Sequence, residues 1–176
     1  MDNSIYIRKA TPEDCNTIVD LGRRTFVETY SEVTHDEVLQ AYMEKKFTPE
    51  VIEKEMNKPD ACFYIGFVDH TPAAFTKLRS GRKAKGLEEV NGIEIERIYV
   101  LKEYQGLKVG KLMMDSCKEI AVQDKYDMIW LQVWQHNNKA IQFYQKAGFV
   151  IYETTTFNYT KDKTQEDFLM RLNLYY

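Results

Sequence analysis

The stretch from residue 93 to residue 149 constrains the fold more than any other part of the 176-residue chain. It begins with apolar residues that alternate with charged ones from Ile93 to Leu101, and it continues through a segment that contains Gly106 and Gly110. A helical apolar pattern, a second apolar run from Met128 to Trp134 and another helical pattern follow. This order predicts strand, turn, helix, strand and helix, which is typical of a mixed sheet flanked by helices.

Signals for helix starts dominate the sequence before this stretch. The dipeptide Thr11-Pro12 supplies a capping residue and a first-turn proline, and Thr48-Pro49 repeats that pattern. Thr34 with Glu37 has the spacing of a capping box. Because apolar residues recur at helical spacing after each signal, we predict a helix at each of these three places.

A hairpin and two closing strands complete the predicted sheet. Apolar runs over residues 61–68 and 73–78 flank Asp69-His70-Thr71-Pro72, whose composition is typical of a tight turn. Residues 149–155 and 168–174 also have strand patterns. We interpret the last of these strands as an exposed edge that could pair across a homodimer. The predicted class is therefore α/β, more closely mixed α+β.

Composition narrows the class of protein. With 44% hydrophobic residues the chain has the size and apolar content of one domain, which we place over residues 4–176. A formal charge of −3 disfavours nucleic acid or an anionic membrane surface as partner. The start lacks a basic segment followed by an apolar core, and no apolar run has the length of a membrane span. We therefore expect a cytoplasmic protein.

The cysteines and histidines give no metal-binding pattern. The cysteines are odd in number and widely spaced, without a C-x-x-C pair, and the histidines lie in no ligand spacing. These residues are Cys15, Cys62, Cys117, His35, His70 and His136. We expect reduced, buried thiols and no bound metal.

A basic segment lies between the hairpin and the stretch described first. It contains two glycines and five cations, namely Lys77, Arg79, Gly81, Arg82, Lys83, Lys85 and Gly86. This composition would suit a phosphate-binding patch, but the segment has no apolar periodicity. We interpret it as a solvated hairpin loop, because charge runs in loops usually face water.

The loop that precedes the helix at Gly110 has the chemistry of an anion site. A loop that leaves a strand and opens a helix points several N–H groups at one place, and the helix dipole favours negative charge there. Gly106 and Gly110 permit a close backbone approach, so a diphosphate fits. The alternative is a structural turn that needs glycine only to change direction.

This loop resembles motif A of the GNAT superfamily of N-acetyltransferases, in which Gln or Arg, two residues, Gly, one residue, and Gly or Ala follow in order. Gln105 and Gly110 match, whereas Lys108 stands where the middle glycine is usual. A Cβ at position 108 either crowds the pyrophosphate of acetyl coenzyme A or is tolerated in an ordinary helical conformation, with the lysine charge near the phosphates. The resemblance implies acetyl-CoA as cosubstrate. The residues it implies for binding are Ile98, Tyr99, Val100, Gln105, Gly106, Leu107, Lys108, Val109, Gly110 and Lys111.

A second motif follows the apolar run that ends at Trp134. An apolar stripe indicates a helix packed on a sheet, and it consists of Ala140, Ile141, Phe143, Tyr144 and Ala147. Taken singly, Tyr144 suits an amphipathic core position and Asn137 an ordinary helix cap. Their spacing to Gly148 and Phe149 resembles motif B of the same superfamily. That resemblance implies that Asn137 binds the pantetheine arm and that Tyr144 lies near the thioester sulfur.

Acetyl transfer to an amine needs an acid and a base. A phenol with a pKa of about 10 stays protonated at neutral pH, so Tyr144 suits the general-acid role. Releasing the proton of an alkylammonium at pH 7 costs about 4 to 5 kcal/mol, which a carboxylate can partly offset. Glu94 and Glu96 share one strand face by alternation. Their carboxylates either take part in function on that face, or they face solvent or pair with Arg97 or Arg79. The family resemblance favours Glu96 as the base, with Glu94 and water as alternatives.

The resemblance covers nearly the whole chain. Residues 26–30, 41–47 and 93–99 look like those of PaiA-type spermidine/spermine N-acetyltransferases. This resemblance implies a mostly antiparallel sheet of six to seven strands, with a central splayed parallel pair formed by the fourth and fifth strands. It further implies direct attack by a small-molecule primary amine, a polyamine such as spermidine or spermine, in a ternary complex. Glu28, Glu94 and Glu96 are the implied substrate-binding residues, although the acidic surface near Glu28 is equally explained by a solvated helix face.

Two other functions remain open from the sequence. The same fold serves enzymes that acetylate a protein N-terminus or a small amino compound such as an antibiotic or an amino acid. A CoA-binding regulatory module without turnover is the alternative outside the enzyme class, and Lys108 is the best argument for it.

Overall fold

The computed structural model describes residues 3–158 and 161–174, so residues 159–160 and 175–176 of the expected domain lie outside the described residues. The strands are β1 Ile5–Lys9, β2 Ala61–Val68, β3 Thr71–Arg79, β4 Gly92–Val100, β5 Met128–Trp134, β6 Val150–Asn158 and β7 Thr164–Asn173. The helices are α1 Cys15–Tyr30, α2 Asp36–Lys46, α3 Pro49–Met56, α4 Val109–Gln123 and α5 Asn138–Lys146. Two 3-10 turns precede α1 and α4, at Pro12–Asp14 and Lys102–Tyr104.

The strands form one mixed sheet in the order β1-β2-β3-β4-β5-β7-β6. The pairs β1–β2, β2–β3, β5–β7 and β6–β7 are antiparallel, and β4–β5 is parallel. The predicted mixed sheet with a parallel pair of the fourth and fifth strands is confirmed. The parallel ladder runs from Gly92 opposite Met128 to Glu94 opposite Trp130. The splay of this pair stays a prediction.

The predicted dimer edge is wrong. Strand β7 lies between β5 and β6, and its Phe168 is in register with both Val133 and Thr154. A strand that is paired on both sides offers no row of open N–H and C=O groups to another chain. The outer strand at this end of the sheet is β6.

The backbone divides into two compact units, and each is described by itself. Unit 1 comprises residues 1–79 and 97–116, and unit 2 comprises residues 80–96 and 117–176. Strand β4 contributes its first part to unit 2 and its last part to unit 1.

The main core of unit 1 lies between the first three helices and strands β2 and β3. Helix α1 directs Ile18, Leu21, Gly22 and Thr25 inward, which is the spacing of one helical face. The ring of Phe47 packs on Gly22, where an added Cβ would lie 2.3 Å from a ring carbon. The buried cluster consists of Ile18, Leu21, Phe47, Ile52, Phe63, Ile65, Phe67, Phe75 and Leu101.

The start of α1 is tied to β1 by a buried carboxylate. Asp14 accepts hydrogen bonds from Nη1 and Nη2 of Arg8 at 2.7 and 2.8 Å, and from the backbone N–H of Thr11 at 2.8 Å. The Arg8 guanidinium, helped by the Thr11 N–H, lowers the pKa of Asp14 to about 2 against the cost of burial. The predicted helix start at Thr11-Pro12 is confirmed, with the 3-10 turn as its first turn.

The other two predicted helix starts have different outcomes. Thr48 caps α3, because its Oγ1 accepts from the N–H of Val51 at 3.4 Å. The predicted capping box of Thr34 and Glu37 is wrong, since α2 begins at Asp36 with His35 at the N-cap. A side-chain pattern three residues apart does not fix the register of a helix start when an adjacent residue has the required backbone angles.

The predicted hairpin between β2 and β3 is confirmed. Its two-residue turn consists of Asp69 and His70, with φ angles of +48° and +66°. Two successive positive φ angles define the tight turn whose twist matches that of paired strands.

The basic segment from Lys77 to Gly86 begins within β3 and is only partly exposed to solvent. Lys77 lies within β3 and is 3% exposed, and Ala84 packs in a buried cluster with Met128, Trp130 and Leu169 in unit 2. The interpretation as a solvated loop is therefore wrong for Lys77, whereas Arg82, Lys83 and Lys85 are exposed as predicted. A run of charged residues in the sequence does not show which of them other segments bury in the fold.

The described part of the chain contains no helix long and apolar enough to cross a membrane. Cys117 is buried as expected, whereas Cys15 and Cys62 are half-buried, and no disulfide links the three within the described residues.

Candidate functional site

The loop expected to hold phosphates connects the second 3-10 turn to α4 in unit 1. Its backbone bends twice into the left-handed region, at Gly106 with φ +86° and at Lys108 with φ +70°. The carbonyl of Lys108 accepts the first helical hydrogen bond, from the N–H of Leu112 at 3.0 Å. Val109 then anchors the helix, because its side chain is fully buried against Met113 and strand β3. Lys108 is thus the N-cap of α4.

Of the two alternatives stated for Lys108, the ordinary helical conformation is not the one that the residue adopts. A φ of +70° is the region in which the Cβ of an L-residue meets its own backbone, at a cost of about 1 to 2 kcal/mol. The side chain itself is exposed. The loop therefore follows the backbone path that a glycine at this position would allow, and the lysine occupies that path under strain.

The cradle formed by this loop fits an anionic group. The first N–H groups of α4, from Val109 to Lys111, have no acceptor within the helix, and a 15-residue helix adds its dipole at this end. A Cβ built on Gly106 meets no atom within 4 Å, so the loop is open at that point. The charge of Lys111 is directed to Asp115 one turn on, in an ion pair. The backbone, more than any lysine side chain, is suited to hold a diphosphate.

The strained N-cap leads to a test of stability. We expect Lys108→Gly to raise the free energy of unfolding by roughly 0.5 to 1 kcal/mol, because glycine adopts φ +70° without a clash. Urea denaturation of both proteins measures the change. Lys111→Gly is the matched control, since it removes the same charge from a helical position and should lower stability by about 1 kcal/mol. A loss of stability in Lys108→Gly would contradict the strain assigned to this position.

The end of β4 and the phosphate loop are braced by side chains in unit 1. Ile98 and Val100 pack in a cluster with Val109, so the strand and the start of α4 are fixed together. Gln105 donates from Nε2 to the carbonyl of Val100 at 3.1 Å. This bond uses one of the backbone groups that the sequence assigned to the pantetheine arm, and it gives Gln105 a bracing function.

Two further predicted residues of unit 1 have structural partners. The ring of Tyr99 lies 5.7 Å from that of Phe75 in the main core. Glu28 is exposed, and its Oε2 accepts from the backbone N–H of Lys102 at 2.8 Å. Glu28 therefore anchors the turn ahead of the phosphate loop. Its assignment to the substrate stays a prediction.

The second motif of the sequence forms α5 and its flanks in unit 2. Asn137 caps the helix, because its Oδ1 accepts from the N–H of Ala140 at 3.3 Å. Tyr144 is half-buried, with its ring 5.6 Å from Phe143 and 6.1 Å from Phe149. The side-chain oxygen of Asn137 is therefore used in the helix cap, which is the structural role that the sequence analysis gave as the alternative.

A glycine and a buried aromatic residue fix the end of α5. Gly148 has φ +99°, a left-handed conformation that ends the helix, and the N–H of Phe149 donates to the carbonyl of Tyr144 at 3.0 Å. Phe149 is 2% exposed. The turn that carries Tyr144 is therefore held at its C-terminal end by the core of unit 2.

The two strand glutamates differ in their surroundings. Glu94 is 1% exposed, and its Oε1 accepts from Nη1 of Arg82 at 2.8 Å. An ion pair was an alternative for this residue, and Arg82 is a partner that the sequence interpretation did not name. Glu96 is half-buried.

Arg82 begins a polar network that the sequence interpretation missed, and this network links the buried carboxylates of Glu94 and Asp167. Its Nη2 donates to Oε1 of Gln132 at 3.2 Å, and its Cζ lies 5.2 Å from the ring centre of Trp130. Gln132 in turn donates from Nε2 to Oδ2 of Asp167 at 2.8 Å. The one available signal was Gln132 itself, a polar residue inside the apolar run of β5.

Asp167 ends this network as a buried carboxylate. It is 5% exposed, and Nε2 of Gln165 donates to its Oδ1 at 2.8 Å. Burial raises the pKa of Asp167, and the amides of Gln132 and Gln165 offset only part of that effect. Within residues 3–158 and 161–174, no group of three or more His, Cys, Asp or Glu side chains is arranged to hold a metal ion.

The sequence is similar to those of known N-acetyltransferases. The model of the acetyltransferase (GNAT) family matches residues 17–149. An uncharacterized N-acetyltransferase in the pepI 3' region of Lactobacillus delbrueckii subsp. lactis is 28% identical over 167 residues, covering 95% of this chain and 96% of the relative. The spermidine N(1)-acetyltransferase of Thermoplasma acidophilum is 26% identical over 167 residues, covering 93% and 99%.

Solved structures give the same picture of the fold. The PaiA N-acetyltransferase from Thermoplasma acidophilum, in complex with coenzyme A, superposes with a TM-score of 0.80 at 26% identity, covering 97% of this chain and 99% of that one. An N-acetyltransferase from Staphylococcus aureus Mu50 superposes with a TM-score of 0.74 at 18% identity, covering 97% and 98%. The second similarity concerns the fold alone.

Proposed function

The chain belongs to the acetyltransferase (GNAT) family and uses acetyl-CoA, and from this premise we propose that its acceptor is a primary amine of a polyamine such as spermidine or spermine. The observation that carries the proposal is the similarity to a spermidine N(1)-acetyltransferase along 93% of this chain and 99% of that relative. A similarity that spans both chains includes the acceptor side as well as the coenzyme side.

The coenzyme is held mainly by backbone groups in this proposal. Acetyl-CoA supplies an activated acetyl group on a thioester. The N–H groups at the start of α4 bind its pyrophosphate, and the strand backbone from Ile98 to Val100 binds the pantetheine arm with the help of Asn137. The exposed left-handed turn at Gly106 and Lys108 supports this role, because it leaves the N–H groups of the loop and helix open to one ligand.

Glu96 acts as base or as the first acceptor of the amine proton. At pH 7 a polyamine nitrogen is an ammonium ion with a pKa near 10.4, and removing its proton costs about 4 to 5 kcal/mol. A half-buried carboxylate on β4 attracts the ammonium, accepts the proton and passes it to water. The neutral nitrogen then attacks the carbonyl carbon of the thioester.

Tyr144 acts as the general acid. As the new C–N bond forms and the C–S bond breaks, the phenol donates its proton to the departing sulfur, so the products are the acetylated amine and the free thiol. The half-buried ring between two aromatic neighbours keeps the hydroxyl in one place. The attack is direct, so no acetyl group is transferred to the protein.

Glu94 and Glu28 attract the cationic acceptor in this proposal. Both carboxylates already accept hydrogen bonds, from Arg82 and from the Lys102 N–H. They therefore attract the acceptor through the negative electrostatic potential of their carboxylates, unless the acceptor displaces Arg82 or the Lys102 N–H.

The experiment that tests the function measures release of free thiol from acetyl-CoA with a panel of polyamines, amino sugars, amino acids and peptides at several pH values. Polyamines are expected to have the highest kcat/KM. A preference for amino sugars, amino acids or peptides would replace the proposed acceptor by another amine. Binding of coenzyme A without turnover of any acceptor would identify a CoA-binding regulatory module. The φ of Lys108 is +70°, which glycine adopts readily, so the lysine by itself does not argue against turnover.

The base can be tested separately from the acceptor. We expect Glu96→Gln to lower kcat/KM for the best acceptor about tenfold at pH 7 and less at higher pH, because free amine becomes abundant as its own pKa is approached. The measurement is a pH–rate profile between neutral and alkaline pH. Glu119→Gln, an exposed position on α4, is the matched control. Superimposable profiles of Glu96→Gln and the native protein would assign the proton transfer to Glu94 or to water.

A further inference from the structure

Arg82 sits in a cage whose other walls are strand residues of unit 2. Its guanidinium contacts the Glu94 carboxylate at 2.8 Å, the Gln132 amide oxygen at 3.2 Å and the face of Trp130 at 5.2 Å from the ring centre. A carboxylate, an amide oxygen and an indole face are three groups that each attract a cation. We refer to Glu94, Gln132 and Trp130 as the cation cage.

The cage is rigid, while its cation is on a loop. The side chain of Glu94 is 2% exposed, and Trp130 is 1% exposed and in register with Glu94 across the parallel ladder. Gln132 is oriented by Asp167, which accepts from its Nε2 at 2.8 Å and so directs its oxygen to the cation. The side chain of Arg82, in contrast, is 44% exposed.

This difference distinguishes the cage from an ordinary ion pair. If Arg82 swings outward, the carboxylate, the amide oxygen and the indole face stay where the strands hold them. The guanidinium then loses its hydrogen bond to the carboxylate, its hydrogen bond to the neutral amide oxygen and its cation–π contact. Water molecules accept hydrogen bonds from its N–H groups instead. An alkylammonium group can form the same three interactions in its place.

We propose that the cation cage is a binding site for an ammonium group of the acceptor, and that Arg82 is a resident cation which this ammonium displaces. The proposal rests on the proposed function, since it deepens the choice of a polyamine as acceptor. Glu96 lies two residues after Glu94 on β4, about 7 Å further along the strand. A short alkyl diamine spans that interval, with one nitrogen at Glu96 for acetylation and the next in the cage.

Competition with Arg82 weakens the binding of the acceptor. Removing the guanidinium takes this cation away from the buried Glu94 carboxylate, the Gln132 oxygen and the Trp130 face. We therefore expect Arg82→Ala to bind spermidine at least about tenfold more tightly than the native protein, the change that one charge-assisted hydrogen bond produces. The same variant should bind methylguanidine, which replaces the missing side chain, whereas the native protein should not.

Isothermal titration calorimetry with spermidine and with methylguanidine, in the absence of acetyl-CoA, tests the proposal. Lys83→Ala is the matched control, because it removes an exposed charge from the same segment and should bind spermidine as the native protein does. Adding Glu94→Gln to Arg82→Ala should abolish both gains. Equal or weaker spermidine binding by Arg82→Ala would overturn the proposal, as would a gain that persists without the Glu94 carboxylate.

Folding of the variant is monitored by circular dichroism and by Tm with and without methylguanidine. If Arg82→Ala does not fold, Arg82→Gln is neutral and keeps a hydrogen-bonding side chain, and the same gain in spermidine affinity is expected. Thiol release separates this inference from the proposed function. Tighter binding without turnover of any polyamine would refute the function and leave the cage intact, whereas turnover without tighter binding would refute the cage alone.

Discussion

Tyr144→Phe is expected to lower kcat by about 10² to 10⁴, the range found when a general acid is removed. The phenylalanine ring keeps the contacts of Tyr144 with Phe143 and Phe149, so the helix and its packing should stay intact. The departing sulfur then leaves as a thiolate without a positioned proton. Steady-state assays of thiol release measure the change in kcat.

The affinity for coenzyme A separates chemistry from binding in this variant. Because the backbone of the phosphate loop is untouched, the Kd for coenzyme A measured by calorimetry should equal that of the native protein. Tyr126→Phe, a half-buried position between α4 and β5, is the matched control for loss of a phenol. If kcat of Tyr144→Phe stays within a factor of about two, the assignment of Tyr144 as general acid is wrong.

Glu55→Gln is expected to lower the free energy of unfolding by about 3 to 5 kcal/mol. Glu55 lies between two buried cations, with Nη1 of Arg97 at 2.7 Å and Nζ of Lys77 at 3.0 Å. The side chains of Arg97 and Lys77 are 7% and 4% exposed, and each also lies against an aromatic ring. Without the carboxylate, two positive charges remain buried next to each other. Urea denaturation followed by circular dichroism measures the loss.

The pH dependence of stability gives this prediction a second readout. Burial opposes the charge of Glu55, but Arg97 and Lys77 outweigh it, so the pKa of this carboxyl lies below its usual value. Its contribution is complete above the usual pKa of a glutamate, near 4.3, and is lost as pH falls through the lowered value. Glu55→Gln should therefore lose less stability in acid than the native protein.

The control for this variant is a glutamate on the same helix. Glu53→Gln changes an exposed residue of α3 and should alter stability by less than about 0.5 kcal/mol. A similarly small change for Glu55→Gln would mean that Lys77 and Arg97 reach water once the carboxylate is gone. In that case Glu55, Lys77 and Arg97 would not depend on one another for their burial.

Local patterns in the sequence predicted much of the fold. The hairpin at Asp69 and His70 and the helix cap at Thr48 depend on residues close in the chain, so composition and spacing were sufficient. The order of the strands depends on contacts between distant segments. For that reason the place of β7 inside the sheet was missed, although its strand pattern was recognised.

Charged residues show the same limit more sharply. Arg82 and Lys77 lie in a run of cations that indicates a solvated loop, yet their partners Glu94 and Glu55 are 12 and 22 positions away in the sequence. No local rule links a cation to a carboxylate at such a distance. The conformation of Lys108 was missed for a different reason, because lysine rarely has a positive φ and the loop imposes it.

The resemblance in the sequence located the site residues without resolving their structural partners. Asn137, Gln105 and Glu28 all use side-chain atoms to brace the backbone around them. The sequence analysis assigned each of them to a ligand on its place in a motif. A motif does not distinguish a residue that contacts a ligand from one that fixes the loop. Glu96 and Tyr144 remain the residues on which the proposed chemistry depends.

The two buried aspartates give acid opposite effects on the two units. Asp14 in unit 1 has a pKa of about 2, so its stabilising bonds to Arg8 persist in mild acid and fail only when it is finally protonated. Asp167 in unit 2 has a raised pKa, so it takes up its proton earlier, and that proton removes the cost of a buried charge. Acidification therefore relaxes an electrostatic penalty at Asp167 before it breaks the bonds that Asp14 makes to Arg8.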